Sequence, residues 1–212
     1  LAKEHYDIKF LENEKGETGF EVIFKKAIDS PYKITYQTSV EGMDLVQKTY
    51  DNKATLYDGQ TKESDVNAVV SIPNGGKYTS KSGNQQGKVI DWKLNINFGQ
   101  STVQDATIID HPSSNQAIIE NSFHLYSTTV DEKGQVTKGE ELEKGKDYEL
   151  DLEFDPDSFQ IKFKEEITRP YILEYQSLIL DKVGSTLQNE VTFRGENVKE
   201  IKKESEASIV VK

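Results

Sequence analysis

The stretch Lys88-Val-Ile-Asp-Trp-Lys-Leu-Asn-Ile-Asn-Phe98, "KVIDWKLNINF", alternates with a period of two. Ile90, Trp92, Leu94 and Ile96 fall on one side, and Asp91, Lys93, Asn95 and Asn97 on the other. Successive side chains leave a strand on opposite faces, so this pattern predicts a strand with one buried face. It also assigns the single Trp to a core between sheets. "YELDLEF" (148–154) and "FQIKF" (159–163) alternate likewise, and the "DPDS" between them is turn chemistry, which predicts a hairpin. "YILEYQSLIL" (171–180) and "NEVTF" (189–193) add further strands, and residues 66–72 supply an opening one. "NQAIIENSF" holds at most a turn of helix. Many short strands with polar turns predict an all-β fold, an antiparallel β-sandwich.

The composition agrees. The 212 residues are 34% hydrophobic with a mean hydropathy of −0.68, which suits thin β-domains with much surface. Thirty-seven acidic against 26 basic residues give a net charge of −11. Without a basic stripe, such a chain is expected to bind neither nucleic acid nor anionic lipid. Cysteine is absent, which excludes disulfides, thiol catalysis and thiolate metal sites. No apolar run reaches the ~20 residues that span a bilayer, so no membrane insertion is expected. The start, "LAKEHYDIKF", reads as the interior of a domain, and the chain is expected to be a piece of a longer one.

The sequence also repeats itself. "FEVIFKKAIDSPYKITYQTSV" (20–40) aligns with "FQIKFKEEITRPYILEYQSLI" (159–179): Phe20, Phe24, Pro31, Tyr32 and Tyr36 recur as Phe159, Phe163, Pro170, Tyr171 and Tyr175. Tyr6-Asp7-Ile8 parallels Tyr148-Glu149-Leu150, Asn52 pairs with Asn189, and "KESDVNAVVS" from Lys62 parallels "KESEASIVVK" from Lys203. An offset of about 140 residues is too long for a solenoid and predicts an array of whole domains. With junctions at the "KES" segments, the expected organisation is a C-terminal portion of one repeat (1–64), a complete repeat (65–204), and, in 205–212, the start of the next repeat or a C-terminal strand.

Little in the chain looks like a turnover site. His5, His111 and His124 are scattered singly, without a second His at ligand spacing. "DEKGQ" at Asp131 and "DPDS" at Asp155 lack the alternating oxygen ligands and closing Glu of a calcium loop, and read as turns. "PNGGK" at Pro73 has no following Ser or Thr and no helix, so it is not a phosphate loop. No metal and no cofactor is expected. What stands out is asparagine, a poor strand residue, in the middle of "STLQNEVTF" (185–193) and again at Asn52 in "TYDNKATLYDG".

Here the chain resembles a family. "SKSGNQQGKVIDWKLNINFGQSTVQDATIIDH", then "YILEYQS", then "LQNEVTF" is similar to the collagen-adhesin type repeat of Gram-positive cell-wall proteins. The shared order is a Lys-Ser-Gly strand, a Trp strand ending in Ile-Asn, an Ile-x-Asp strand end, a Tyr-x-Ile-x-Tyr type strand and a late Asn strand. One departure is Glu174-Tyr175-Gln176, where Thr-Tyr-x-Thr is commoner. The resemblance covers residues 65–204, and its C-terminal half covers residues 1 to about 62.

The resemblance implies immunoglobulin-like sandwiches in tandem, used in ligand-binding heads and in stalks. It also implies an intramolecular Lys–Asn isopeptide bond assisted by a buried acid. By motif, the lysine is Lys81, the acid and proton shuttle Asp110, and the acceptor Asn189. Lys77 and Lys88 remain alternative donors. Asn52 is expected to be the corresponding acceptor of the preceding repeat, its lysine and acid belonging to residues before Leu1.

The residue types suit the chemistry. A lysine at its usual pKa of ~10.4 is protonated and not nucleophilic, but burial lowers that value and raises a carboxyl's. Asp110 is then expected to be protonated, to hydrogen-bond the Asn189 amide oxygen, and to shuttle protons as ammonia leaves. The expectation is therefore a secreted, wall-anchored stalk repeat that is not an enzyme beyond one self-cross-linking event. A ligand-binding module for collagen or another matrix protein is the rival, such a partner otherwise being met through other domains. A carbohydrate-binding sandwich would need an exposed aromatic platform, and the Trp is on the core face.

Overall fold

The structure is a computed structural model and describes residues 1–44, 46–196 and 200–212. The chain divides into two compact units, Leu1–Ser39 and Val40–Lys212. The first holds one antiparallel hairpin, β1 (Tyr6–Glu12) and β2 (Thr18–Phe24), with Tyr6 opposite Phe24. Its turn is closed by Asn13 Oδ1, which accepts from the backbone N–H of Lys15 and of Glu17, each at 2.9 Å. Within the unit Phe20 meets Tyr36 edge-on at 4.8 Å, and Phe24 lies 5.3 Å from Tyr32.

The second unit opens with the hairpin β3 (Thr49–Asp58) and β4 (Thr61–Ser71). Next come β5 (Thr79–Gln86), β6 (Val89–Ile96), β7 (Thr107–Pro112) and β8 (Gln116–Ile118). They are followed by β9 (His124–Val130), β10 (Val136–Glu141), β11 (Tyr148–Asp155) and β12 (Ser158–Phe163). The last three are β13 (Tyr171–Ile179), β14 (Thr186–Glu196) and β15 (Glu200–Val210). One sheet runs β10-β9-β13-β6-β5 with β8 added on β13, and the other runs β11-β12-β7-β14-β15. All these pairings are antiparallel. The all-β immunoglobulin-like sandwich read from the sequence is the observed fold.

The alternation on β6 does what its pattern requires. Ile90, Trp92, Leu94 and Ile96 are buried, and they pack into one core with Ile108, Ile161, Leu173, Val191 and Phe193 from strands of both sheets. Trp92 is held by its polar end as well as its bulk, since Nε1 donates to Gln116 Oε1 (3.1 Å) and to Ser177 Oγ (2.8 Å). Gly83, opposite Trp92, is required by contact: a Cβ there would lie 2.7 Å from the indole ring. "DPDS" makes the β11–β12 turn, and "DEKGQ" is an Asp-capped turn in which Asp131 Oδ1 accepts from Lys133 N and Gln135 N.

The strand pairing bears on the expected repeat junctions in two places. Residues 66–72 do not open the sandwich, because β4 pairs with β3 along its whole length. Residues 205–210 belong to the last strand, β15, which pairs with β14 from end to end, and Val211 is buried in the core. Each "KES" segment thus lies within the second strand of a hairpin, where cross-strand pairing outweighs its polar composition. A further difference concerns residues 25–40. Their counterpart forms β13 between β6 and β9, whereas no strand occurs in 25–40. A strand needs neighbours for its N–H and C=O groups, and unit 1 supplies only β1 and β2.

Candidate cross-link site

Lys81 lies on the inward face of β5, two residues before Gly83. Tyr175 lies on β13 directly opposite Trp92 of the same sheet. The facing sheet supplies Asp110 on β7, which is paired with Phe159 of β12 on one side and Val191 of β14 on the other. Asn189 is two residues from Val191, so period-2 geometry sends its side chain to the same face as the Val. The four side chains thus come from both sheets and meet between them.

Their contacts are closed on themselves. Lys81 Nζ forms an ion pair with Asp110 Oδ2 and donates to Tyr175 OH at 2.7 Å. Tyr175 OH donates to the Asp110 carboxylate, 3.0 and 3.1 Å from its two oxygens. Asn189 Nδ2 donates to the same hydroxyl at 2.5 Å. The Lys81 and Asp110 side chains are 0% exposed, Asn189 is 0% and Tyr175 is 1%.

The walls are aromatic. Lys81 Nζ lies 5.4 Å from the Trp92 ring centroid and 4.8 Å from that of Tyr175. Tyr175 is stacked on Phe123 at 5.1 Å and meets Phe159 edge-on at 5.0 Å. In such a dry site desolvation dominates the ionisation of every member. Burial pushes the Lys81 ammonium pKa down, against the pull of Asp110's charge and hydrogen bond. Burial pushes the Asp110 carboxyl up, against Lys81 and Tyr175. Burial, and then the charge of Asp110, hold the Tyr175 phenol well above its ordinary value. Burial thus moves the amine and carboxyl pKa values toward each other.

Of the sequence-predicted residues, Lys81, Asp110 and Asn189 are brought together. Asn52 is elsewhere, on β3 opposite Ala68. The alternative donors are exposed: Lys77 donates to Asn74 Oδ1 at 3.1 Å, and Lys88 sits in the β5–β6 turn. The expected hydrogen bond from Asp110 to the Asn189 amide oxygen is not made. Asn189 Oδ1 is buried without a partner, and Asp110 is engaged by Lys81 and Tyr175 instead. Tyr175 is the member that sequence reasoning missed. Its signal was the alternation of "YILEYQS", which sets Tyr175 on the same face as Leu173 and Ser177.

The histidines stay apart, with His111 bonded to Ser158 and His124 to Glu141. Among the described residues no group of three or more His, Cys, Asp or Glu is arranged to hold a metal ion, and no helix is long and apolar enough to cross a membrane.

Two antiparallel sheets closed over an aromatic core, with a buried polar cluster bridging them, define an immunoglobulin-like sandwich module. The family model for the collagen binding domain matches residues 1–67 and 74–204. The chain belongs to the collagen binding domain family.

Solved structures similar to this chain include the collagen-binding subdomain of the Enterococcus faecalis surface protein ACE, at 20% identity over 64% of this chain and 94% of that one, TM-score 0.46. The collagen-binding domain of a Staphylococcus aureus adhesin is 13% identical over 63% and 97%, TM-score 0.48. A C-terminal fragment of the Streptococcus agalactiae major pilin GBS80 is 12% identical over 63% and 55%, TM-score 0.45. A search of the curated proteins gave no match.

Proposed function

We propose that this chain is a stalk-type repeat of a secreted, wall-anchored surface adhesin, locked by one isopeptide bond between Lys81 and Asn189. The observation that carries the reading is the buried cluster itself, in which a lysine, an acid and an asparagine amide share one hydroxyl. A buried ion pair is a poor way to gain stability, since desolvation offsets the attraction. Its retention beside an amide is better explained by chemistry than by packing.

In this mechanism Asp110 holds the proton that burial removes from Lys81. The neutral amine attacks the Asn189 amide carbon; Asp110 gives up its proton toward the departing amide nitrogen and, as the carboxylate, takes one back from the attacking nitrogen. The C–N bond to the amide breaks and ammonia leaves. The event occurs once per molecule, and the folded core supplies its rate by holding the partners in place. The tie joins β5 to β14, one strand in each sheet.

The hairpin β3–β4 extends the reading to the preceding repeat. Asn52 faces Ala68 as Asn189 faces Ala207, and Tyr6 faces Phe24 as Tyr148 faces Phe163. This shared register supports Asn52 as the acceptor of an equivalent site whose lysine and acid belong to another segment.

Intact mass tests the bond: a loss of about 17 Da, one ammonia, is expected from amide condensation. Asn189→Ala should retain full mass, and a full-mass wild type refutes the bond. The family match favours a second reading, in which the chain itself grips collagen or another matrix protein. Saturable solid-phase binding of this chain to collagen would establish that reading over the stalk.

A further inference from the structure

Tyr175 has no role in the bond-forming scheme above, yet it touches every group in it. Lys81, Asp110 and Asn189 each hydrogen-bond its hydroxyl. Asp110 makes no hydrogen bond to Asn189, and Asn189 Oδ1 has no partner. Among the described residues, the phenol is therefore the only hydrogen-bonded link between the Lys81–Asp110 pair and the amide. It faces Nδ2, the nitrogen that must leave, at 2.5 Å.

Resting on the cross-link reading, we propose that Tyr175 is a catalytic acid, relaying a proton from Asp110 to the departing amide nitrogen of Asn189. Attack of the neutral Lys81 amine on the amide carbon forms the new C–N bond, leaving a positive charge on the attacking nitrogen and a negative one on the carbonyl oxygen. Amide conjugation is lost at that point, so Nδ2 acquires a basic lone pair beside the phenol. Tyr175 gives its proton to Nδ2 and takes the carboxyl proton of Asp110. The Asp110 carboxylate then takes one proton from the attacking nitrogen. The old C–N bond breaks, the carbonyl re-forms and neutral ammonia departs. Asp110 ends protonated and Tyr175 ends as the phenol, so both are regenerated and every proton is accounted for.

A phenol suits this task, because a second carboxyl would compete with Asp110 for the amine. The ring is fixed by Phe123 and Phe159, so the hydroxyl is held in place before reaction. The high pKa imposed by burial keeps it protonated until the leaving nitrogen becomes basic.

The test is a time course of ammonia loss, read by intact mass after pulsed cell-free synthesis of the whole chain. Tyr175→Phe should slow the loss by ~100-fold or more, the range for one positioned general acid. Replacing Tyr175 by a series of fluorotyrosines keeps the ring and the hydroxyl but grades the acidity. The relay predicts a rate that varies steadily along that series. A phenylalanine variant as fast as wild type, or a flat fluorotyrosine series, overturns the relay while leaving the bond intact. A wild-type chain that never loses 17 Da overturns the bond, and the relay with it.

Discussion

At the scale of single residues, the informative pair is Lys81 and Asp110, because burial moves their pKa values in opposite directions. In Asn189→Ala, which leaves the amine unreacted, the folded pair holds one proton between them. The unfolded chain also holds one between the ordinary carboxyl and amine values, ~4 and ~10.4. The pair therefore adds no slope to stability across that range. Adding Lys81→Met leaves Asp110 buried alone. Its folded pKa is raised, so the folded state keeps a proton that the unfolded chain releases above ~4. Stability is then full below that value and falls as pH rises, by about 1.4 kcal/mol per unit until the folded pKa is reached. Urea unfolding of the two variants from pH 4 to 7 measures this, and parallel curves would refute it.

At the scale of elements, the proposed cross-link would tie β5 to β14 and close a loop of roughly 100 residues. In the chain-entropy account of such closures this is worth about 4–5 kcal/mol. Asn189→Ala should lower the denaturant-derived stability by that order, and a change below about 1 kcal/mol would mean that no tie exists. The strands that carry this tie were readable to different degrees. "KVIDWKLNINF" and "FQIKF" declared their buried faces, because one face meets the core and the other water. The triad of Lys81, Asp110 and Asn189 was readable only through motif order, since each residue alone is an ordinary strand residue. The role of Tyr175 was not readable, because a tyrosine on a core face looks the same whether its hydroxyl is idle or shared by three partners. The repeat junctions are not legible for another reason. "KES" carries no information on which strand it pairs with, and only the partner β14 reveals that residues 200–210 close the sheet.

At the scale of the whole molecule, a stalk is defined by what it does under tension. Pulling on an uncross-linked sandwich extends every residue once the sheets part. With Lys81 joined to Asn189, force passes from β5 through the new amide into β14, and the residues between them carry none of it. The core strands β6, β7, β9, β12 and β13 all lie inside that protected segment. At ~3.3–3.6 Å per extended residue, the shielded stretch amounts to roughly 350–390 Å of contour. Single-molecule stretching of the chain between handles at its two ends should therefore release less length in wild type than in Asn189→Ala, by about that amount. Tyr175→Phe should show both lengths in proportions set by its degree of reaction. Equal contour lengths in wild type and Asn189→Ala would show that tension is borne by the hydrogen-bonded ladders alone, and the stalk would have to be explained without a covalent path.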